Sequence, residues 1–148
     1  MSNKSYQQGR IDAIAFLNTR LDDSYSPPEK VRSEAKKGLE ARRNASKSNR
    51  GGLSVQQAHD EGIGSGVQRA VNLMNGDNIS LSTIKRMHSF FSRHQGNYDK
   101  AKAKNLKPEE SKAIQAWLLW GGDAGARWAK EILAKEEKND TDRISRQK

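Results

Sequence analysis

The stretch Ser80-Leu81-Ser82-Thr83-Ile84-Lys85-Arg86-Met87-His88-Ser89-Phe90-Phe91-Ser92-Arg93-His94 decides the fold class. Leu81, Ile84, His88 and Phe91 recur at steps of three or four residues, and Met87 and Phe90 widen the stripe. That period belongs to a helix with one buried face. Ser80 or Ser82 supplies its start, because a serine hydroxyl accepts an N–H that the first helical turn leaves without an internal partner. The pattern predicts a helix from residue 80 to about residues 94–96.

Toward the N-terminus, Val67, Ala70, Val71 and Met74 repeat at helical spacing over residues 65–74, and Gly76 supplies the stop. Residues 28–44 predict another helix, with Ser26 as its cap and a proline in its first turn. Its apolar stripe, Val31, Ala35 and Leu39, is narrow. Residues 45–52 read as a loop or hinge, and residues 53–64 give no clear element. Ile11, Ile14, Phe16, Leu17 and Leu21 predict a short helix over 11–21, ended by Asp22-Asp23-Ser24 and Pro27-Pro28.

Toward the C-terminus, residues 97–107 carry Lys100, Lys102, Lys104 and Lys107 and little to bury, so they read as a solvated loop. Pro108-Glu109-Glu110 reads as a first helical turn, where acidic residues are favoured. Ala113, Ile114, Trp117 and Leu118 follow, Gly121-Gly122 stop that helix, and Asp123 caps the next, which buries Trp128, Ile132 and Leu133. From Lys135 onward the chain is charged and expected to fray. No segment alternates with period two, so no sheet is expected to organise the fold.

The expectation is an all-α protein: a compact bundle of about four to six short helices with polar termini. Residues 1–26 form an N-terminal extension, 27–134 a basic helical module, and 135–148 a charged tail. At 148 residues, the length fits one domain. A hydrophobic fraction of 33% implies a modest core. The absence of cysteine excludes disulfides and thiolate metal sites. The longest apolar run is 116–120, against the roughly 20 residues a membrane-spanning helix needs. Residues 1–10 are polar and lack the apolar stretch of a secretory signal, so a cytosolic location is expected.

The strongest functional signal is charge. Lys and Arg number 27 against 18 Asp and Glu, for a net charge of +9, which favours association with polyanions. Eight basic residues stand against Glu34 and Glu40 over 30–50, and seven stand against Asp99 over 85–107. Lys36, Lys37, Arg42, Arg43, Lys85, Arg86 and Arg93 are the candidate phosphate contacts. The 80–94 helix follows Gly76-Asp77-Asn78, punctuation of the helix-turn-helix kind, which makes it a candidate recognition helix.

Other candidates carry less. Trp117, Trp120 and Trp128 have the chemistry to stack nucleobases, but their apolar neighbours point to core packing for at least two. His88 lies on the apolar stripe and reads as half-buried, and His88 and His94 are six apart, off a common helix face. His59-Asp60-Glu61 has metal-compatible residue types without a second cluster, so neither metal nor cofactor is expected. The phosphate-binding, nucleophile-elbow and paired-histidine motifs of common enzymes are missing, so no catalytic residue is assigned.

The 80–94 stretch, followed by Ala116-Trp117-Leu118-Leu119-Trp120-Gly121-Gly122-Asp123-Ala124-Gly125 and Trp128-Ala129, resembles a small uncharacterised helical module of tailed bacteriophages and prophages. Pro28 to Gly52, with Ala35, Gly38-Leu39 and Gly51-Gly52, resembles the opening of that module, and the likeness covers about residues 27–134. The family is often encoded near, or fused to, head and capsid-maturation proteins. Residues 95–107 lack the proline- and glycine-rich text associated with the family. The resemblance implies a phage protein in the host cytoplasm or the virion. Together with the charge, it leads to the expectation of a non-enzymatic protein that binds DNA or RNA through phosphate contacts, in the head or during its assembly. The alternative is an interaction module for a capsid component or a host factor, suggested by the partly apolar segment 53–64.

Overall fold

The computed structural model describes residues 23–51 and 66–146. The predicted helix over 11–21, the segment 53–64 and His59-Asp60-Glu61 lie outside the described residues. Five α-helices are described: α1 (Glu29–Asn44), α2 (Gly66–Asn75), α3 (Leu81–Ala103), α4 (Lys112–Leu119) and α5 (Gly122–Arg146). Single 3-10 turns span Lys47–Asn49 and Pro108–Glu110. The fold is all-α. A two-residue antiparallel bridge, β1 (Ser24–Tyr25) with β2 (Ile79–Ser80), clips the approach to α1 onto the start of α3.

Helix α1 is central and packs against α2, α4 and α5. Its buried residues are Val31, Ala35, Gly38 and Ala41. They recur at steps of three or four residues and have small side chains, so neighbouring backbones come close. At Gly38 the approach is tightest. A Cβ there would lie 2.7 Å from Leu119 N and 2.9 Å from Leu118 C, inside van der Waals contact with the α4 backbone. Leu39, expected on the buried stripe, is only half-buried, and Gly38 takes its place against α4.

The core joins that α1 stripe to Ala70 and Leu73 of α2, to Leu81, Ile84, Met87, Phe90 and Phe91 of α3, and to Trp117, Leu119, Ala129 and Ile132. Trp117 is 1% exposed. Tyr98 stacks on it at 4.2 Å between ring centroids, with planes 6° apart, and Phe91 meets it edge-on at 4.7 Å. Trp120 and Trp128 are partly buried against the same core.

Several local expectations are met and several are corrected. Ser80 caps α3, its hydroxyl accepting the Thr83 N–H at 3.2 Å. Gly76 follows α2 with φ +78°, the left-handed conformation glycine adopts most readily. Helix α3 does not stop at 94–96 but continues to Ala103, so most of the supposed 97–107 loop is helix. Tyr98 and Ala101 prolong its buried face, and the lysines at its end suit the negative pole of the helix dipole. Asn105, at φ 55°, ends it.

Pro108–Glu110 is a separate 3-10 turn, and Ser111 caps α4 by accepting the Ile114 N–H at 3.2 Å. Ser26 does not cap α1. Pro28 holds the cap position, and its carbonyl accepts the Arg32 N–H. Asp123 does not cap α5 either, because the helix already begins at Gly122 and the carboxylate accepts the Trp117 indole N–H at 2.9 Å. Helix α5 does not fray at Lys135 but runs to Arg146. Residues 134–138 are strong helix formers, and Glu136 accepts the Tyr25 hydroxyl. His88 is exposed, because the buried stripe centres on Ile84, Met87 and Phe91.

The Gly38 contact makes a signed prediction. Alanine is intrinsically better than glycine within a helix by about 1 kcal/mol. Overpacking costs about 1–3 kcal/mol when neighbours must move. Gly38→Ala is therefore expected to lower the urea midpoint. A raised midpoint would show that α1 and α4 are not in tight contact.

Candidate nucleic-acid interface

The basic half of the site grows from the C-terminal end of α1 and the turn after it. Gln115 on α4 is 0% exposed, yet every polar atom of its amide is used. Its Oε1 accepts the Gly51 N–H at 2.7 Å, and its Nε2 donates to the carbonyls of Asn49 at 2.8 Å and Pro108 at 3.0 Å. A buried amide is stable only when so satisfied. The Lys47–Asn49 turn is thereby fixed to α4, and with it Arg50.

Two guanidinium groups are then held by main-chain carbonyls. Arg42 Nε donates to Gly51 O at 2.8 Å, and Arg50 Nη2 donates to Ala45 O at 3.3 Å. Burial, and after it the charge of Arg50, lowers the proton affinity of Arg42. An arginine stays charged all the same. The result is two like charges brought together by the fold. With Lys36 and Arg43 they border a cleft of about 500 Å³ between α1 and α2, against a single carboxylate among the described residues, Glu40. Leu39, Val71 and Met74 supply its apolar surface.

The candidate residues do not all join this cleft. Lys36, Arg42 and Arg43 do. Lys37, one position on from Lys36, lies 3.9 Å from Glu34 on the flank of α1 away from that cleft, while it still borders a further cleft beside Lys36 and Arg32. That flank opens on a second cleft of about 750 Å³, with Glu34, Glu40, Glu109 and Asp123 against Lys37 and Lys102. The acidity registers on Tyr98 there: burial first, and then Asp123, Glu34 and Asp99, push its phenol up. Glu40 borders both clefts.

Lys85, Arg86 and Arg93 are exposed on α3. Helices α4 and α5 each pack against both α1 and α3, so the two basic runs sit on separate supports. Lys36, Arg43, Lys85, Arg86 and Arg93 make no salt bridge to any described residue. Among the described residues, no three His, Asp or Glu side chains cluster to hold a metal ion. No described helix is long and apolar enough to cross a membrane.

Two arginines stand outside the candidate set read from the sequence. Arg50 belongs to the 30–50 run, and its place beside Arg42 follows from a turn that no local pattern specifies. Arg69 is the one charged residue of α2, a signal that was available in the sequence. Its guanidinium sits 4.9 Å from the Trp120 ring centroid.

Comparison with known proteins gave no matching family, no matching curated relative and no matching solved structure.

Gln115 offers a test of how the cleft is held. Gln115→Met removes the acceptor for the Gly51 N–H and the donors for two carbonyls, all in a buried place. An unsatisfied buried group costs about 1–3 kcal/mol. A comparable fall in unfolding free energy is expected, along with faster amide hydrogen exchange at Gly51. Unchanged exchange at Gly51 would show that the clamp does not hold the turn.

Proposed function

We propose that this chain is a non-enzymatic protein that binds nucleic acid through phosphate contacts. The observation that carries the reading is the Arg42–Arg50 pair. Two guanidinium groups are each held by a main-chain carbonyl and border one cleft, flanked by Lys36 and Arg43, with Glu40 as its one acid among the described residues. Such a pair is repulsive when empty, and an oxyanion between the two relieves it. The overall charge of +9 draws a polyanion toward the surface from a distance. Lys85, Arg86 and Arg93 add phosphate contacts on α3. The likeness to a phage helical module supports a phage origin, with the binding taking place in the virion head or during its assembly in the host cytoplasm.

Binding to a duplex oligonucleotide is expected to weaken steeply with salt. Each phosphate contact contributes about 0.9 to the slope of log affinity against log salt concentration. The Arg42→Gln/Arg50→Gln double variant should lose about 1.8 of that slope. Lys37→Gln, whose charge is already met by Glu34, should lose almost none. No binding by the unaltered protein at low salt would refute the reading, as would equal losses in all variants.

A second reading, capture of a protein such as a capsid component or host factor, has its own support. The acidic cleft presents Glu109 beside Leu106, the exposed large hydrophobic side chain of the described residues, which is 37% exposed. Such a cleft suits a basic segment with an apolar residue. A partner retained after nuclease digestion and lost in Glu109→Lys would favour it.

A further inference from the structure

We propose that Arg69 and Arg86 form a second phosphate-contact centre, and that the nucleic acid lies across the exposed amide face of α2 between that centre and the Arg42–Arg50 cleft. The inference rests on the nucleic-acid reading above and deepens it, naming the surface and the course of the ligand.

Arg69 is the first observation. Its guanidinium lies over Trp120 at 4.9 Å, while Phe90 stacks on the same indole at 4.9 Å between centroids with planes 14° apart. Trp120 therefore contacts both the guanidinium and the Phe90 ring. A guanidinium has five N–H donors. Those of Arg69 find no hydrogen-bond or salt-bridge acceptor among the described residues. Arg86 stands one helical turn before Phe90 on α3, the residue stacked on the same indole, and burial, and after it the charge of Arg86, lowers the proton affinity of Arg69. Among the described residues neither cation meets a carboxylate, and an anion between the two would relieve their repulsion.

The geometry of α2 is the second observation. Successive residues on a helix are about 100° apart. Ala70 and Leu73 face the core. Val71 and Met74 turn to one flank and border the Arg42–Arg50 cleft. Arg69, about 200° from Val71, turns to the other. Between the flanks, away from the core, lie Gln68, Asn72 and Asn75, with Gln68 Nε2 donating to Asn72 Oδ1 at 2.9 Å. The outward face is therefore neutral and rich in amides, with an arginine pair on each side. Neutral amides do not repel phosphates and bond readily to sugar, phosphate or base edges.

A helix with its side chains is about 10–12 Å across. Two anion centres on its opposite flanks are thus too far apart for one phosphate group, and a chain of phosphates is what reaches both. Helix α2, rather than α3, is then the element against the nucleic acid, with Arg86 of α3 reaching in from the side.

Tryptophan emission of the full-length protein tests this, since Arg69 covers the Trp120 ring. Adding a duplex oligonucleotide at low salt should change the emission. The change should vanish in Trp120→Phe and in Arg69→Gln, and inorganic phosphate at equal phosphate concentration should not produce it. Arg86→Gln, an exposed substitution that leaves the core alone, should weaken binding at least threefold and reduce the salt slope by about 0.9. An Arg86→Gln protein with unaltered affinity and slope, or an emission change that persists in Arg69→Gln, overturns this inference and leaves the Arg42–Arg50 reading standing. An equal emission change with inorganic phosphate overturns the bridging geometry. Absence of any binding by the unaltered protein overturns both readings.

Discussion

A single buried amide organises the functional end of this molecule. Gln115 is fully buried on α4, and its amide group meets the main chain of two turns. Neither turn has a buried side chain of its own. Hydrophobic burial therefore does little to hold them, and directional hydrogen bonds do the work. Such bonds specify distance and angle where apolar contact specifies only proximity. The positions of Arg50 and of the Gly51 carbonyl, to which Arg42 is bonded, inherit that definition. The cationic cleft is thus built from backbone carbonyls outward.

The division of charge around α1 follows from helix geometry. Neighbouring residues point about 100° apart, so a compact basic run such as residues 30–50 cannot face one way. Lys36 and Arg43 border the cleft toward α2, while Lys37 meets Glu34 and borders the acidic cleft. The run becomes a cationic cleft on one side and part of an acidic one on the other. Net charge in a window of sequence overstates the field at any one surface.

Much of the fold was legible because its signals are local. The Ser80 cap, the Gly76 stop and the Gly121-Gly122 break each act within one turn of chain, and the apolar spacing of α1, α2 and α3 lies within single segments. What was not legible depends on partners distant in sequence. Tyr98 extends α3 because Trp117 awaits it on another helix, and Asp123 leaves its capping role for the same indole. Of the candidate contacts, Lys36, Arg42 and Arg43 lie together, Lys37 turns away, and the α3 residues stand on a different support. Gln115, a polar residue in the apolar run of α4, and Arg69, alone among neutral neighbours on α2, were visible as anomalies. Their meaning came only with the groups brought against them.

Glu40 stands at the boundary between the two clefts and contributes its one negative charge to both. It tempers the cationic side and strengthens the acidic side at once. Neutralising it would make the first more attractive to anions and the second less attractive to cations in a single step. The two surfaces therefore cannot drift independently at this position, and evolution must adjust either one by changing residues elsewhere.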